Sequence, residues 1–560
     1  MKYEEKKQID LAAKCIESGK YEYANNIMMK LLGEAGEDAE LYKNIGMLYM
    51  AMKQYSLAST YIRRSFDLEK SFETLELLAN ANFYAEKYDF AAIQFEELLK
   101  HIPNEQMYEK CIDAYEKLDY YEEAIRVAKM YNYAKDSVES YSKLIFMYIT
   151  AGMVDEAINT GEEMKKKFPN HVLTFNTFGF LYECIHNDYE TAKKYFKKAG
   201  KQGFVNAYYN LGVCCKQSED FENSEKYLKK LANIKAKGKI DYNYTLGSIY
   251  LANRKLRLGY KYYSKRNASQ ELNKRNQNNL WDGKAYPTKT LYISSEQGFG
   301  DNIQFIRYVP MTLKYFKKVI YGVTDNLVRL FQTSFPKDKY PNLEIVSQSE
   351  IVRYHKFALI MDLPYILHQT YHNIPAKKSY LSPIKRDKDM MQINYFDNDN
   401  LKVGLCWKAK GMGLRDAVYR TIDAPYYFKP LFDLPDIQFY SFQMGDIFGM
   451  LEKYPQIKDL AHEFKDFAAT ASALANLDIL ITVDTALAHL AGGLGVKTYL
   501  LLCHAPDWRW FDNDKTTEWY PSVTIIKQHD RRTWQDVADK LEEYMKKEVK
   551  DFQKRKKAKK

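Results

Sequence analysis

The chain has 560 residues, more than one hydrophobic core organises, so two to four domains are expected. Hydrophobic residues make up 46% of it, which is enough for globular folding throughout. The formal net charge of +10 suggests nucleic-acid binding, but residues 546–560 hold nine basic and two acidic residues. Because this short segment carries most of the charge, the remainder offers little basic surface, and nucleic-acid binding is not favoured.

The first residues are too charged for a secretory signal, and no apolar run reaches membrane-spanning length. The sequence therefore predicts a cytoplasmic protein without a transmembrane segment. The seven cysteines are odd in number and include no CxxC pair, which indicates neither a disulfide framework nor a zinc site. Most are expected to be small buried hydrophobes.

An aromatic or apolar residue followed three places later by a small one recurs every 32 to 35 residues through the first half. The instances are Tyr21/Ala24, Tyr55/Ala58, Tyr88/Ala91, Tyr121/Ala124, Val154/Ala157, Tyr189/Ala192, Phe221/Ser224 and the weaker Leu256/Gly259. Twelve residues before the small position there is often a second small residue, as at Gly46 and Gly247, and two such residues let paired helices approach closely. The period predicts a stack of helical pairs.

Segments such as NIGMLYMAMKQYSLASTYIRRSF resemble the tetratricopeptide repeat. The resemblance implies an α-solenoid of seven to eight repeats over residues 1–265, with a concave face that binds a protein or peptide. A spacer or a dimerisation arm, and hence a homo-oligomer, is the alternative interpretation.

The composition and the periodicity of the sequence change after the repeats. Residues 266–287 are polar and are predicted to be a linker or a last capping helix. Beyond them, short apolar runs alternate with helical patterns, which predicts an α/β region with mostly parallel sheets. A charged stretch divides it into lobes at 288–395 and 396–545, with a ligand cleft between the carboxyl ends of their strands. The basic residues 546–560 are predicted to be a disordered tail.

Three motifs hold candidate functional residues. In SSEQGFGDNIQFIRYVPM, Gly298 and Gly300 let the backbone approach a ligand, and Asp301 opens a helix, either as a helix cap or as a functional acid. In LDILITVDTALAHLAGGLGVKTYLLL, an acid ends a strand, and the following helix start favours anionic groups. In VGLCWKAKG, Lys408 is either a point charge for a phosphate or a surface lysine.

Taken together, four segments resemble the bacterial heptosyltransferase-like glycosyltransferases found downstream of tetratricopeptide repeats. In chain order they are EQGFGDNIQFIRYVP, the Trp-Lys step, VDTALAHLAGGLG, and DWRWF with WYP. The resemblance covers residues 285–535 and implies two facing Rossmann-like lobes, the GT-B fold, and no metal cofactor. The fold class is then α + α/β. Asp301 matches the catalytic base of the family, and Lys408 matches a lysine that neutralises the donor diphosphate. The residues matching the nucleotide-binding turn are Asp484, Thr485, Ala486 and His489.

The chain departs from the family at two steps. It has Trp407-Lys408-Ala409 for Trp-Ala-Gly and Tyr419-Arg420-Thr421 for a polar Arg-Arg-Ser run. We assign the phosphate-binding role of that run to Arg420. Because of these departures, the identity of the sugar donor is not inferred from the family. Gln304 and Gln443 complete the candidate nucleotide-sugar ligands; Gln443 follows a strand and is otherwise a loop residue.

These motifs predict an inverting glycosyltransferase that moves a sugar from a nucleotide-sugar to a hydroxyl of a protein held by the repeats, such as a flagellar or surface protein modified before export. One alternative is a glycan-building heptosyltransferase-like enzyme. Another is a non-catalytic repeat scaffold with a degenerate nucleotide-sugar domain. A dehydrogenase is less favoured because the Gly-rich turn lacks a third glycine and an acid about 20 residues further on.

Overall fold

The computed structural model describes residues 3–233, 241–296, 298–409, 420–422, 424–445, 448–511, 513–531 and 533–559. The chain forms two compact units, Met1–Leu181 and Tyr182–Lys560, here called the first and the second unit. The division does not coincide with the predicted end of the repeats at residue 265. The last helical repeats belong to the same unit as the α/β region.

The first half of the chain consists of paired helices, and every second helix begins at the aromatic or apolar residue of the recurring motif. The prediction of a helical repeat is therefore confirmed. The helices are α1 Tyr3–Glu17, α2 Tyr21–Ala35, α3 Ala39–Ala51, α4 Tyr55–Leu68, α5 Phe72–Tyr84, α6 Tyr88–Leu99, α7 Glu105–Lys117, α8 Tyr121–Lys135, α9 Val138–Thr150, α10 Val154–Lys167, α11 Val172–Cys184, α12 Tyr189–Lys201, α13 Asn206–Gln217, α14 Phe221–Asn233, α15 Tyr242–Ala252 and α16 Leu256–Tyr263.

Small residues allow the two helices of a pair to pack closely against each other. A β-carbon at Gly46 in α3 would lie 2.3 Å from Cγ1 of Ile62 in α4. One at Gly247 in α15 would lie 2.8 Å from the backbone nitrogen of Tyr263 in α16. No larger side chain fits at these places unless the helices separate. The close approach expected from the sequence is confirmed.

Residues 266–287 are docked against the α/β region and are not a free linker. They begin with helix α17, Asn267–Arg275. The Arg266 side chain is fully buried and forms ion pairs with Glu296 and Asp362. Trp281 is also buried, in the core that contains the first sheet. The expectation of a linker is corrected on this point, while that of a capping helix agrees with α17.

The remainder of the second unit is built on two parallel sheets, which confirms the predicted α/β region. The first has strand order β3-β2-β1-β4 and the second β10-β9-β8-β5-β6-β7. The strands are β1 Tyr286–Ser294, β2 Phe316–Val323, β3 Leu343–Ser347, β4 Lys356–Leu359, β5 Leu401–Cys406, β6 Ile437–Ser441, β7 Ile457–Asp459, β8 Ile479–Val483, β9 Thr498–Leu502 and β10 Val523–Lys527.

Strand order reverses beside β1 in the first sheet and between β5 and β8 in the second. Ligands of open α/β sheets bind where the order reverses, beyond the carboxyl ends of the strands. The helices of this region are α18 Phe299–Phe305, α19 Val309–Thr312, α20 Asp325–Ser334, α21 Leu363–Ile366, α22 Lys385–Met391, α23 Ala424–Tyr427, α24 Lys429–Phe432, α25 Phe448–Lys453, α26 Phe467–Leu474, α27 Ala486–Leu494 and α28 Gln535–Lys559.

The basic end of the chain is helical, which corrects the prediction of a disordered tail. Residues 546–559 continue α28, and the side chains of Met545 and Val549 are buried in the core that also contains β5 and β8. Docking of this apolar stripe gives the basic residues their helical conformation. All seven cysteines are buried. Within the described ranges, no helix is both long and apolar enough to cross a membrane.

Candidate functional site

The Gly-rich turn joins the end of β1 to α18. Gly298 precedes the helix in an extended conformation, and its N–H donates a hydrogen bond to Oδ2 of Asp301 at 3.0 Å. Asp301 is therefore the third residue of α18 and accepts from the N-cap residue Gly298, as in a capping box, so it is not itself the N-cap. Glu296, at the start of the turn, is anchored by the buried Arg266, which fixes the path of the backbone into the motif.

The second motif places a helix start at the carboxyl end of β8. Thr485 is the N-cap of α27, and its hydroxyl accepts a hydrogen bond from the N–H of Leu487 at 3.3 Å. Ala486 is the first residue of the helix. The free N–H groups of such a first turn favour an anionic ligand.

The structure brings these two motifs into contact. A β-carbon on Gly300 would lie 3.4 Å from Cα of Ala486 and 3.0 Å from Cδ2 of His489. Only glycine allows α18 to approach α27 this closely without displacing His489 or the backbone. Asp301 consequently lies beside the first turn of α27, although 184 residues separate Gly300 from Asp484 in the sequence.

Arg509 connects the Gly-rich turn to the DWRWF segment. Its Nη2 forms an ion pair with Oδ1 of Asp301, and its Nη1 donates to Oδ1 of Asp507 at 2.6 Å. The side chain is only 9% exposed, and that of Asp301 is 15% exposed. Both oxygens of Asp301 are thus engaged, one by Arg509 and one by Gly298.

His489 is enclosed by aromatic rings. Its Nδ1 lies 2.8 Å from the Tyr520 hydroxyl, and its ring stacks on Trp510 with centroids 5.2 Å apart. Burial, followed by the positive charge of Arg509, lowers the pKa of His489 well below its usual range. The imidazole is neutral at physiological pH, so any contact with a phosphate would be a hydrogen bond without a charge.

Asp484 and Arg420 form a second pair at the end of β8. Arg420 Nη2 donates to the backbone oxygen of Asp484 and lies 3.7 Å from its Oδ2. Burial raises the pKa of the Asp484 carboxyl, and Arg420 offsets part of that rise. Tyr419, which precedes Arg420 in the departure from the family pattern, lies outside the described residues.

The structure gives Gln443 a structural role. Its Oε1 accepts from the backbone N–H groups of Trp407 at 3.1 Å and Lys408 at 2.8 Å, which ties β6 to the end of β5. The side chain of Lys408 is exposed beyond this turn. Gln304, a residue of α18, is fully buried in the protein interior. A ligand at the surface therefore does not reach its amide in this conformation.

Three functional candidates were not found from the sequence. Arg509 and Asp507 lie in the DWRWF segment and pair with each other, but the second partner of Arg509, Asp301, is distant in sequence. Tyr244, on repeat helix α15, is the third, and its ring packs on Tyr263 at 5.3 Å. Nearby Tyr263, together with desolvation of the hydroxyl and the carboxylates of Asp507 and Asp301, raises the pKa of Tyr244 well above its usual range, although 37% of the residue remains exposed. The last repeat therefore contributes to the surroundings of Asp301.

Comparison with known proteins finds distant similarity to a curated protein and to solved structures. No protein-family model matches the chain. Protein FlbA of Caulobacter vibrioides is 24% identical over 291 residues, covering 47% of this chain and 47% of FlbA. The chain thus spans about half the length of this curated relative.

Similar solved structures include a tetratricopeptide repeat protein from Parabacteroides merdae, with 14% identity and a TM-score of 0.35, covering 43% of this chain and 97% of that one. Another is YrrB, a TPR protein described as having an unusual peptide-binding site, with 20% identity and a TM-score of 0.25, covering 31% of this chain and 90% of YrrB.

Proposed function

We propose that the α/β region is an inverting, metal-independent glycosyltransferase of GT-B fold that transfers a sugar from a nucleotide-sugar to a protein hydroxyl. The observation that carries the proposal is the contact between the Gly300 turn and the start of α27. It places an acid, Asp301, beside a helix N-terminus that lies where the strand order of its sheet reverses. A displacement reaction needs this pairing of a base with an anion site.

The donor diphosphate would lie at the first turn of α27, where Thr485 and Ala486 expose backbone N–H groups. Lys408 and Arg420 would neutralise the charge that develops on the leaving diphosphate. Asp301 would take the proton of the acceptor hydroxyl while the acceptor oxygen bonds to the anomeric carbon. The bond from that carbon to the diphosphate oxygen breaks, and its electron pair leaves with the nucleoside diphosphate.

A protein acceptor is favoured because repeat helices and the candidate site belong to the same unit. Tyr244 from α15 is near enough to Asp507 and Asp301 for their carboxylates to contribute to the raised pKa of its hydroxyl. Lys216 from α13 is close enough to Asp507 to contribute to the low pKa of its carboxyl, after Arg509. A polypeptide bound along the last repeats would thus reach the neighbourhood of Asp301.

Calorimetric titration of ADP, UDP, GDP and CDP tests the donor site. One nucleotide is expected to bind wild type and to bind Lys408→Ala about tenfold more weakly, because a charge-assisted contact is lost. Lys337→Ala, at an exposed lysine after α20, is the matched control and should bind as wild type does. If none of the four binds at millimolar concentration, the transferase proposal fails.

A non-catalytic scaffold is the second candidate, favoured by the engagement of both Asp301 oxygens. Turnover separates the two functions. Extract proteins from cells lacking the gene, incubated with labelled donor and enzyme, are expected to acquire the sugar. Asp301→Asn should reduce this incorporation by about 10²–10⁴-fold, the usual contribution of a positioned base. Equal incorporation by wild type and Asp301→Asn would remove Asp301 from the role of base.

A further inference from the structure

Arg509 is shared between two carboxylates. Its Nη1 donates to Asp507, its Nη2 pairs with Asp301, and within the described part of the chain its Nε has no hydrogen-bond partner. The Arg509 side chain is only 9% exposed, so little water is available to replace these contacts. An arginine with one unused donor in such surroundings can accept a further anion.

Arg509 also lies beside the anion site of α27. The next residue, Trp510, stacks on His489 in the first turns of that helix. Arg509 is near enough to contribute to the low pKa of His489. Gly300, next to Asp301, lies against Ala486. The ion pair between Arg509 and Asp301 therefore borders the place where the donor diphosphate would bind.

The two arginines that border the start of α27 are each paired with a carboxylate, whereas Arg307, also buried near His489, donates to the backbone oxygens of Gln304 and Trp519. Arg509 is paired with Asp301 and Asp507, and Arg420 is paired with Asp484. His489 is neutral because of its burial. A diphosphate that binds Arg509 or Arg420 therefore has to draw that arginine away from a carboxylate, since a buried anion without a partner is strongly disfavoured.

We propose that Arg509 is a positioning residue that exchanges between Asp301 and the donor diphosphate, so that the base is exposed only when the donor is bound. This inference rests on the proposed function. In the ligand-free site Arg509 occupies Oδ1 of Asp301. When the diphosphate takes the guanidinium, Asp301 retains only its bond from Gly298, and Oδ1 is able to accept the proton of the acceptor hydroxyl.

Exchange makes Asp301 and the diphosphate competitors for one arginine. Removing the charge of Asp301 should then tighten nucleotide binding, and the tightening should require Arg509. A through-space repulsion between Asp301 and the diphosphate would also tighten binding in Asp301→Asn, but it would do so whether or not Arg509 is present. The two accounts differ only in the double variant.

The test is a double-mutant cycle read by calorimetry. The proteins are wild type, Asp301→Asn, Arg509→Gln and the double variant, and the probes are the nucleoside diphosphates ADP, UDP, GDP and CDP and inorganic diphosphate. Asp301→Asn is expected to bind the preferred probe about tenfold more tightly than wild type, within the usual range of couplings between sites. In the Arg509→Gln background the same substitution should change affinity less than twofold.

Arg509→Lys keeps a cation at the position and serves if Arg509→Gln, which leaves Asp507 buried without its partner, does not fold. It should restore part of the affinity that Arg509→Gln loses and part of the tightening caused by Asp301→Asn. A purely structural role of Arg509 would not produce this rescue of coupling.

Each other result overturns the proposal. Equal tightening in both backgrounds identifies simple repulsion, and no tightening in Asp301→Asn shows that the base and the ligand do not compete. Either result leaves the donor site itself standing. Failure of every probe to bind both wild type and Asp301→Asn removes the donor site and the exchange together.

Discussion

His489 shows how burial fixes the protonation state of a single residue. The ring is 5% exposed, stacked on Trp510 and hydrogen bonded to Tyr520, so adding a proton would place a charge among aromatic side chains. Its lowered pKa means that the folded chain stays unprotonated at this position while the unfolded chain binds a proton below about pH 6.5. Stability is therefore lost as the pH falls through that value.

His489→Gln should remove this loss. Between pH 7.5 and 5.5, wild type is expected to lose up to about 1.4 kcal/mol of unfolding free energy per pH unit below 6.5 at this residue, and the variant should lose less by that amount. Urea denaturation followed by tryptophan fluorescence measures it, because all six tryptophans lie in the second unit.

The exposed His372 provides the control, since His372→Gln should keep the pH dependence of wild type. If His489→Gln and wild type lose the same stability over this interval, His489 takes up its proton in the folded state as well.

Local sequence predicted residue positions well and side-chain partners poorly. Asp301 and Thr485 stand at the helix starts where turn chemistry places them. The ion pair from Asp301 to Arg509 spans 208 residues, and no local pattern records which of many arginines meets a given acid. The sequence predicts Gln443 to be a ligand or a loop residue. In the structure its side-chain Oε1 accepts hydrogen bonds from two backbone N–H groups at the end of β5. This role becomes visible only after β5 and β6 are paired.

At the scale of the element, contact between α18 and α27 depends on Gly300. Gly300→Ala would add a methyl group 3.0 Å from the His489 ring and 3.4 Å from Cα of Ala486. Because Trp510 and Tyr520 hold that ring, overpacking of about 1–3 kcal/mol is expected. Urea denaturation of the second unit should show this loss, and nucleotide affinity should fall with it.

Gly298→Ala is the matched control in the same turn. Its β-carbon would lie 3.4 Å from Oδ2 of Asp301, an ordinary contact, and the backbone there is already extended. Its stability should remain within about 0.5 kcal/mol of wild type, as for most substitutions that create no clash. Equal losses in the two alanine variants would mean that the turn, and not the helix contact, is sensitive to a side chain.

Element prediction succeeded where a pattern is repeated and failed where charge hides an apolar pattern. The repeat helices follow from a motif that occurs eight times. Helix α28 was missed because its end is so basic. Its apolar residues nevertheless recur every four positions, at Val537, Leu541, Met545 and Val549, and all four are buried.

At the scale of the whole molecule, the second unit takes its last helical repeats into its own core. Leu251, Leu256, Tyr260 and Tyr263 belong to the buried cluster that also contains residues of both sheets. Tyr260 and Tyr263 pack against Trp508, with ring centroids 6.1 and 5.7 Å away. The sequence assigned these residues to a separate repeat domain, because its periodicity continues without a break across the division at residue 181.

A fragment of residues 188–560 is therefore expected to fold, and one of residues 266–560 is not. The shorter fragment loses four large buried side chains, each worth roughly 1.5–3 kcal/mol of burial. The sum is comparable to the whole stability of a typical domain, about 5–15 kcal/mol. The longer fragment keeps them and begins at Asp188, which caps α12 through the N–H of Thr191. Thermal unfolding should be cooperative for residues 188–560 and absent for residues 266–560, and equal unfolding midpoints would show that the repeats are only appended to the α/β region.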